Sequence, residues 1–274
     1  MTFFNQDKTK LSEFLSALDK NFVHAAKIKT KLDNDEKLSF LFLCAEEYKK
    51  YHDNFRIDHV AKSVKAWNKY LDFVRTNNEY TFQSKFESSI LEESVYRLFA
   101  DISDDTILVG SIDAYSNLYF SPLSFENFKL QSTVKVNKKN QDFAIYKKVT
   151  VKIDENPIPV MLFVPVVAIE CKTYLDKTML EGSIATAEKI KSGNPYCKFF
   201  IVTESYEVDR NVEIKNSRID QIFVLRKTTS KATRHNSGIC SDVIELLIKE
   251  VNKHLAQQWT DIEQNITTKG IVLS

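Results

Sequence analysis

The first eighty residues carry apolar side chains at the three- and four-residue spacing of amphipathic helices. The pattern predicts one helix over residues 11–25, a second from Leu38 to about Tyr51, and a third over residues 57–74. The apolar positions of the third helix form a continuous stripe, which is more often a core or a subunit interface than a DNA-reading face. We therefore predict an N-terminal helical subdomain over residues 1–80.

From residue 81 onward, helical and strand-like patterns alternate. A helix is predicted from Ser84 or Ser89 to Ala100, because each serine has a glutamate three residues later, as in a capping box. The β-rich segments predict strands over 106–120, 128–136, 142–153, 160–171, 198–204 and 219–226, and the helical patterns predict helices over 177–191 and from about Ser241. We therefore predict an α/β (α+β) fold over residues 81–274, with helices packed on a mixed sheet.

Composition excludes several classes of protein. The 274-residue chain is 43% hydrophobic and 27% charged, which is typical of a globular protein. Its four cysteines form no CxxC pair, its five glycines form neither GxGxxG nor a phosphate-binding P-loop, and its five histidines form no HExxH. Any metal ion must therefore be held by carboxylates. The scattered cysteines also favour a reducing, cytoplasmic location.

Membrane insertion and a global electrostatic field are both disfavoured. The longest apolar run, Val160–Ile169, is well short of the ~18–20 residues that a membrane span needs. Lysines and arginines number 38 against 37 acidic residues, so the net charge is only +1. A polyanionic partner would have to be met by local basic clusters.

The most apolar predicted strand ends in Glu170, Cys171 and Lys172. Because strand side chains alternate, Glu170 and Lys172 project to one side and Cys171 to the other, where core packing is expected for it. The carboxylate can ligate magnesium, and the ammonium can orient water or stabilise charge on a phosphate. Similar tripeptides occur at 47–49 and 213–215, but only this one ends a buried strand.

A second carboxylate is needed beside Glu170, since magnesium takes one or two protein carboxylates together with water and substrate oxygens. Asp142 opens the predicted strand 142–153, one strand before Glu170, and a hairpin would bring the two residues together. The alternative is a turn or cap aspartate after the polar run 137–141. Spacing alone leaves both interpretations open.

These residues resemble a known nuclease core. Asp142 followed by Glu170-x-Lys172, after a glutamate-bearing helix and before a helix and a strand, is similar to the PD-(D/E)xK pattern, with Gln141 in place of the proline. Four strings resemble the subunits of BbvCI-type restriction endonucleases. They are SILEESVYRLF at 89–99, KNQDFAI at 139–145, VPVVAIECKTYLDKTMLEGSIATAEKIKSGNPYCKFFIVTE at 164–204 and IDQIFVLRK at 219–227.

The resemblance implies a role for each matching residue. Asp142 and Glu170 would be metal ligands, Lys172 the catalytic lysine, and Glu93 the helix glutamate that helps to bind metal or water. The neighbouring Glu92 is the alternative to Glu93, because the string LEES departs from the LEEF that is usual in the family. Residues 81–274 would then form the PD-(D/E)xK nuclease core. The N-terminal helices are outside the matched strings.

The implied function is that of a magnesium-dependent, sequence-specific endonuclease of the Type II restriction type, acting on double-stranded DNA. One active site cuts one strand, so we expect a homodimer or a heterodimer with a related subunit, and a protecting methyltransferase in the host. A catalytically silent DNA-recognition subunit and a repair or resolvase-type nuclease are the alternatives.

Two basic clusters, at 135–152 and 226–234, could neutralise DNA phosphates near this site. The side chains expected to contact DNA are Lys138, Lys139, Lys231 and Arg234. The alternative for all four is ordinary solvated surface, which is the usual role of charge runs of this size.

Overall fold

The structure is a computed structural model that describes residues 2–34, 38–77, 83–130, 134–152, 159–209, 211–233, 236–257, 259, 266–268 and 270. Its N-terminal region is helical, as predicted. The helices are α1 (Thr2–Ser16), α2 (Val23–Asp33), α3 (Leu38–Asn54) and α4 (Val60–Thr76), with a short 3-10 turn at Ile57–His59 before α4. The patterns at 38–51 and 57–74 thus correspond to observed helices.

The prediction of one helix over residues 11–25 is wrong, because the helix is interrupted between α1, which ends at Ser16, and α2, which begins at Val23. At the break, the carboxylate of Asp19 accepts a hydrogen bond from the backbone N–H of Asn21 at 2.8 Å. The backbone N–H of Phe22 donates to the carbonyl of Asp19 at 2.9 Å. Such local aspartate bonds compete with helical ones. An apolar spacing that continues across a turn therefore looks like a single helix.

The remaining elements build a mixed sheet with helices on both faces. A helix, α5 (Gln83–Phe99), precedes the strands β1 (Leu108–Phe120), β2 (Val134–Val151), β3 (Val160–Lys172), β4 (Lys198–Thr203) and β5 (Gln221–Val224). Among the strands lie α6 (Phe125–Leu130) and α7 (Lys177–Gly193), and α8 (Ser241–Ala256) follows them. The described strands form one sheet in chain order, in which β1, β2 and β3 pair antiparallel and β3, β4 and β5 pair parallel.

The structure decides between two predicted starts of α5 and changes one strand boundary. Helix α5 begins at Gln83, within one residue of the predicted start at Ser84, whereas Ser89 lies inside the helix and its hydroxyl donates to the carbonyl of Phe86 at 2.7 Å. The two strands predicted at 128–136 and 142–153 are one strand, β2, preceded by α6. The polar run 137–141 continues β2 because its backbone pairs with β1. The turn interpretation of Asp142 is therefore wrong.

The sheet separates two apolar cores. Alternation along each strand sends Phe143, Val167 and Phe200 to one core, shared with the N-terminal helices, α5 and α8. Ala144, Ala168 and their neighbours face the other core, which is closed by α7. Since the first core joins the N-terminal helices to the sheet, this face of the sheet is fixed relative to α2 and α5. The division into 1–80 and 81–274 stays a prediction, with its boundary outside the described residues.

Helix α7 approaches β1 closely at its carboxyl end. A Cβ atom added to Gly193 would lie 2.2 Å from the backbone carbonyl oxygen of Ser116, so only glycine fits there without displacement. Beyond this contact, β1 and α6 expose several large apolar side chains. They are Leu118, Tyr119, Phe120, Leu123, Phe125, Phe128 and Leu130, which we call the hairpin tip. None of the described helices has the length and apolar character needed to cross a bilayer.

Candidate active site

The antiparallel pairing of β2 with β3 brings Asp142 to the end of β3. Phe143 pairs with Ile169, so Asp142 lies beside the Glu170–Lys172 end of the neighbouring strand. The backbone N–H of Cys171 donates to Asp142 Oδ2 at 2.8 Å. The hairpin expected from the sequence therefore forms, although Asp142 lies within a continuous strand and not at its start.

Glu170 is buried, with 8% of its surface exposed, and its carboxylate has two partners. The hydroxyl of Ser183 on α7 donates to Glu170 Oε2. Lys172 Nζ lies 3.7 Å from the same oxygen. The strand spacing predicted this approach of Glu170 and Lys172. Ser183 was missed, because a small polar residue in a helix gives no signal of the strand that it will face.

An open cleft of about 600 Å³ lies between α2, α5 and the ends of β2 and β3. Asp142, Lys172 and Glu92 are three of its lining residues, and Glu170 is not among the described residues that line it. The lining also includes Val23, Lys27, Lys85, Ser88, Ser111, Asn140, Cys171, Thr173, Tyr174 and Met179. The cleft is open to solvent, and polar and apolar side chains contribute about equally to its lining.

Burial raises the pKa of the Asp142 carboxyl above its ordinary value. The charge of Glu170 raises it further, while the hydrogen bond from Cys171 and the charge of Lys172 act in the opposite direction. Burial also raises the pKa of Glu92, and the charge of Asp142 adds to this effect. Burial and neighbouring carboxylates thus disfavour the charged forms of Asp142 and Glu92, and a cation bound beside them would oppose this effect.

The structure does not bring Glu93 to this cleft. Glu93 is fully buried, and its Oε2 accepts hydrogen bonds from the backbone N–H groups of His24 and Ala25 at 2.9 and 3.0 Å. Its Oε1 accepts from the Tyr48 hydroxyl at 2.6 Å and pairs with Arg97 Nη2 at 3.0 Å. The reason is helical geometry, because consecutive residues point about 100° apart. Glu92, the alternative, is the glutamate that lines the cleft.

The neighbours of the Glu-x-Lys segment divide between core and cleft. Burial raises the pKa of the Cys171 thiol well above its ordinary value, and Cys171 packs in the first core. Such a thiol is not an activated nucleophile. Thr173 and Tyr174 line the cleft. Lys177 is exposed and lies 3.9 Å from Glu181.

The basic residues expected at DNA have different positions. Lys138 is exposed on β2, and Lys139 is half-buried there, near enough for its charge to lower the pKa of Asp142. The backbone of Lys231 belongs to a short 3-10 turn, whereas its side chain and all of Arg234 lie outside the described residues. In the same cluster, Arg226 is an internal residue, since its Nε donates to Glu204 Oε2 at 2.7 Å.

No three His, Cys, Asp or Glu side chains converge into a complete metal site in the described part of the chain. Magnesium does not require three, because it commonly keeps several waters and binds one or two carboxylates together with substrate oxygens. The pair of Asp142 with Glu170 or Glu92 satisfies that requirement in chemical type. The residues present therefore fit a hydrated magnesium ion at the cleft.

Comparisons with known proteins agree with this reading of the fold. The sequence profile of the Bpu10I restriction endonuclease family matches residues 83–239, which include α5 and the whole sheet. A solved structure described as the native BbvCI A2B2 tetramer at low resolution aligns with a TM-score of 0.70 at 21% identity, covering 87% of this chain and 97% of that chain. No curated protein matches. The chain therefore belongs to the Bpu10I restriction endonuclease family and has the fold of a restriction enzyme.

Proposed function

We propose that this chain is a magnesium-dependent, sequence-specific endonuclease subunit that hydrolyses one phosphodiester of double-stranded DNA per active site. The observation that supports it best is the placement of Asp142, Glu170 and Lys172 at one end of the β2–β3 hairpin, beside an open cleft. Membership of the restriction endonuclease family supports the same activity. The four cysteines form no disulfide with one another, which is consistent with the cytoplasmic location that we propose.

Asp142 and Glu170 would hold the magnesium ion, and Glu92 would complete the acidic wall. This assigns to Glu92 the role that the family resemblance gave to Glu93, because Glu92 lines the cleft and feels the charge of Asp142. When bound, magnesium would supply Lewis-acid polarisation of the phosphate and a more acidic water. The described residues themselves provide the carboxylates of Asp142 and Glu170 at neighbouring strand positions and Glu92 in the wall of the cleft.

Lys172 would act on the attacking water and the reacting phosphate. Its ammonium lies 3.7 Å from Glu170 Oε2, and Lys172 also lines the cleft. The same side chain is therefore close to the carboxylate and accessible to a substrate in the cleft. A fixed positive charge there would orient water and stabilise the charge that develops on the phosphate oxygens. Ser183, which bonds Glu170, would keep that carboxylate in register with Lys172.

Cleavage of both strands requires two active sites, and we propose that the second comes from another copy of this chain or from a related subunit. The similar structure is described as an A2B2 tetramer. The hairpin tip is consistent with an oligomer, since its large apolar side chains are exposed in a single chain and could be covered by a partner. Lys138 and Lys139 on β2 would contact DNA phosphates beside the cleft.

The alternative is a catalytically silent DNA-recognition subunit. The position of Glu170 favours it, because this carboxylate is already bound by Ser183 and does not line the cleft within the described residues. In that case the fold would recognise part of a DNA site while an active partner cuts it.

Plasmid digestion separates these functions. The protein and its Lys172→Ala variant are incubated with supercoiled and long linear DNA, with magnesium or with a chelator. Discrete, magnesium-dependent fragments that disappear in the variant would establish a self-sufficient endonuclease, and nicked circles alone would indicate a missing second subunit. A non-discrete digest would favour a structure-selective nuclease. DNA binding without cleavage would favour the silent subunit.

A further inference from the structure

The N-terminal helical region contributes a wall of the cleft through α2. Val23 and Lys27 are four residues apart, so they lie on the same side of this helix, and both line the cleft. They face a space that Glu92, Asp142 and Lys172 line from α5, β2 and β3. Helix α2 lies outside the residues that the family profile matches. It nevertheless places Lys27 at the same cleft as Asp142 and Lys172.

The Lys27 ammonium keeps unused hydrogen-bonding capacity. Its Nζ donates to the backbone carbonyl of Lys85 at 2.6 Å, which occupies one of three donors. Within the described residues it forms no ion pair, and the like charge of Lys85 lies close enough to lower its pKa. Burial is the main cause of that lowering, and Glu92 opposes it. Two ammonium groups held at one cleft are stabilised by an anion between them.

The position of Lys27 is fixed by Glu93. The carboxylate of Glu93 accepts the backbone N–H groups of His24 and Ala25, which begin α2, less than one turn before Lys27. Glu93 follows Glu92 directly in α5, and Glu92 lines the cleft. Glu92 therefore supplies an acidic group of the cleft, and the next residue, Glu93, positions the helix that carries Lys27.

We propose that Lys27 contacts a DNA phosphate in the cleft and that the N-terminal helical region is thereby part of the DNA-binding site. The inference rests on the proposed nuclease function, because it takes the substrate to be DNA. Lysine binds phosphate as a point charge and needs no bidentate geometry. Lys27 would hold the backbone of the strand while Lys172 acts at the phosphate that is cut.

The test is the salt dependence of DNA binding by the full chain. Binding of a fluorescent 30-bp duplex of mixed sequence is measured by anisotropy in chelator between about 50 and 200 mM KCl, because phosphate contacts do not depend on sequence. Lys27→Met removes the charge and keeps the half-buried aliphatic stem. Lys27→Arg keeps the charge. Lys29→Met, on the same helix at a lysine that pairs with Asp33 outside the cleft, is the matched control.

Loss of one phosphate contact is expected to reduce the slope of log Kobs against log salt by about 0.9 in Lys27→Met, so its binding defect is about 3–4-fold larger at 50 than at 200 mM KCl. Lys27→Arg and Lys29→Met are expected to keep the wild-type slope. An unchanged slope in Lys27→Met, in a protein that binds and cleaves DNA, would overturn this inference alone. Absence of DNA binding by the wild-type chain would overturn the proposed function as well.

Discussion

Two groups of charged residues lie on adjacent faces of α5, about 100° apart around its axis, and they differ in how completely their charges are paired. Around Glu93, both carboxylate oxygens accept hydrogen bonds, from α2 and from Tyr48 and Arg97, in a largely buried cluster. Around Glu92, burial is the main cause of the raised pKa values of Glu92 and Asp142, and a neighbouring carboxylate adds to each rise. Buried charges that are paired and hydrogen-bonded stabilise the fold, whereas buried carboxylates with raised pKa values are suited to binding a cation. The comparison gives Glu93 a structural role and leaves Glu92 as the glutamate that we propose for the site.

The largest expected effect is on cleavage. Lys172→Ala removes one positive charge. Because the Lys172 side chain is partly exposed, the free energy of unfolding should change by less than about 0.5 kcal/mol. The rate of DNA cleavage should fall by about 10²–10⁴-fold. Rates are measured on plasmid under single-turnover conditions. Lys177→Ala, at the exposed lysine five residues later, is the control and should cleave normally.

The next effect is on stability. Glu93→Gln leaves the buried Arg97 without its partner charge, so the free energy of unfolding should fall by about 3–5 kcal/mol. Glu92→Gln, one residue earlier, should change it by less than about 0.5 kcal/mol and should instead reduce cleavage. Urea denaturation followed by circular dichroism gives both values. Equal destabilisation by the two substitutions would remove the distinction between the clusters.

Ser183 connects the fold to the cleft, and its removal should have an intermediate effect. Without the hydroxyl that holds Glu170, cleavage by Ser183→Ala should fall by about 10–100-fold, with a stability loss of about 1 kcal/mol. Thr186→Val is the matched deletion, because among the described residues the Thr186 hydroxyl bonds only to the carbonyl of Gly182 in the same helix. Cleavage rates that fall equally in both variants would show a general effect of α7 and not a specific one of Glu170.

The smallest effect concerns pH. Burial lowers the pKa of His24 to about 3, from about 6.5 in the unfolded chain. Below pH 6.5 the unfolded chain takes up a proton that folded His24 does not, so stability falls as pH falls, by up to about 1.4 kcal/mol per pH unit for this residue. Between pH 6.5 and 5, His24→Gln should show a shallower loss of stability than the wild type. The same measurement on His59→Gln, at an exposed histidine outside this core, serves as the control.

Sequence patterns predicted most of the fold because long periodic segments carry their own signal. The helices α3, α4 and α7 and the strand β3 correspond closely to predicted segments. The helix interruption at Asp19 was missed because the hydrogen bond from Asn21 to the Asp19 side chain does not alter the spacing of apolar residues. The continuity of β2 was missed because the polar residues 137–141 pair with β1 through their backbone, which the side-chain pattern does not show.

The candidate site was predicted less completely than the fold. Asp142, Glu170 and Lys172 could be identified because strand alternation and one hairpin determine their proximity. The choice between Glu92 and Glu93 depends on the rotation of α5 about its axis, which is set by tertiary packing. The arrival of Lys27 at the cleft depends on how α2 packs against α5, a contact across more than fifty residues of chain.

The close approach of α7 to β1 has a consequence for mutational tolerance. In a saturation library of this helix, position 193 should accept glycine alone, because any Cβ atom meets the backbone of Ser116. Gly182, eleven residues earlier in the same helix, has open space around it and should accept alanine with a gain of helix propensity. Of the two glycines in this helix, Gly193 should thus tolerate no substitution and Gly182 should tolerate many.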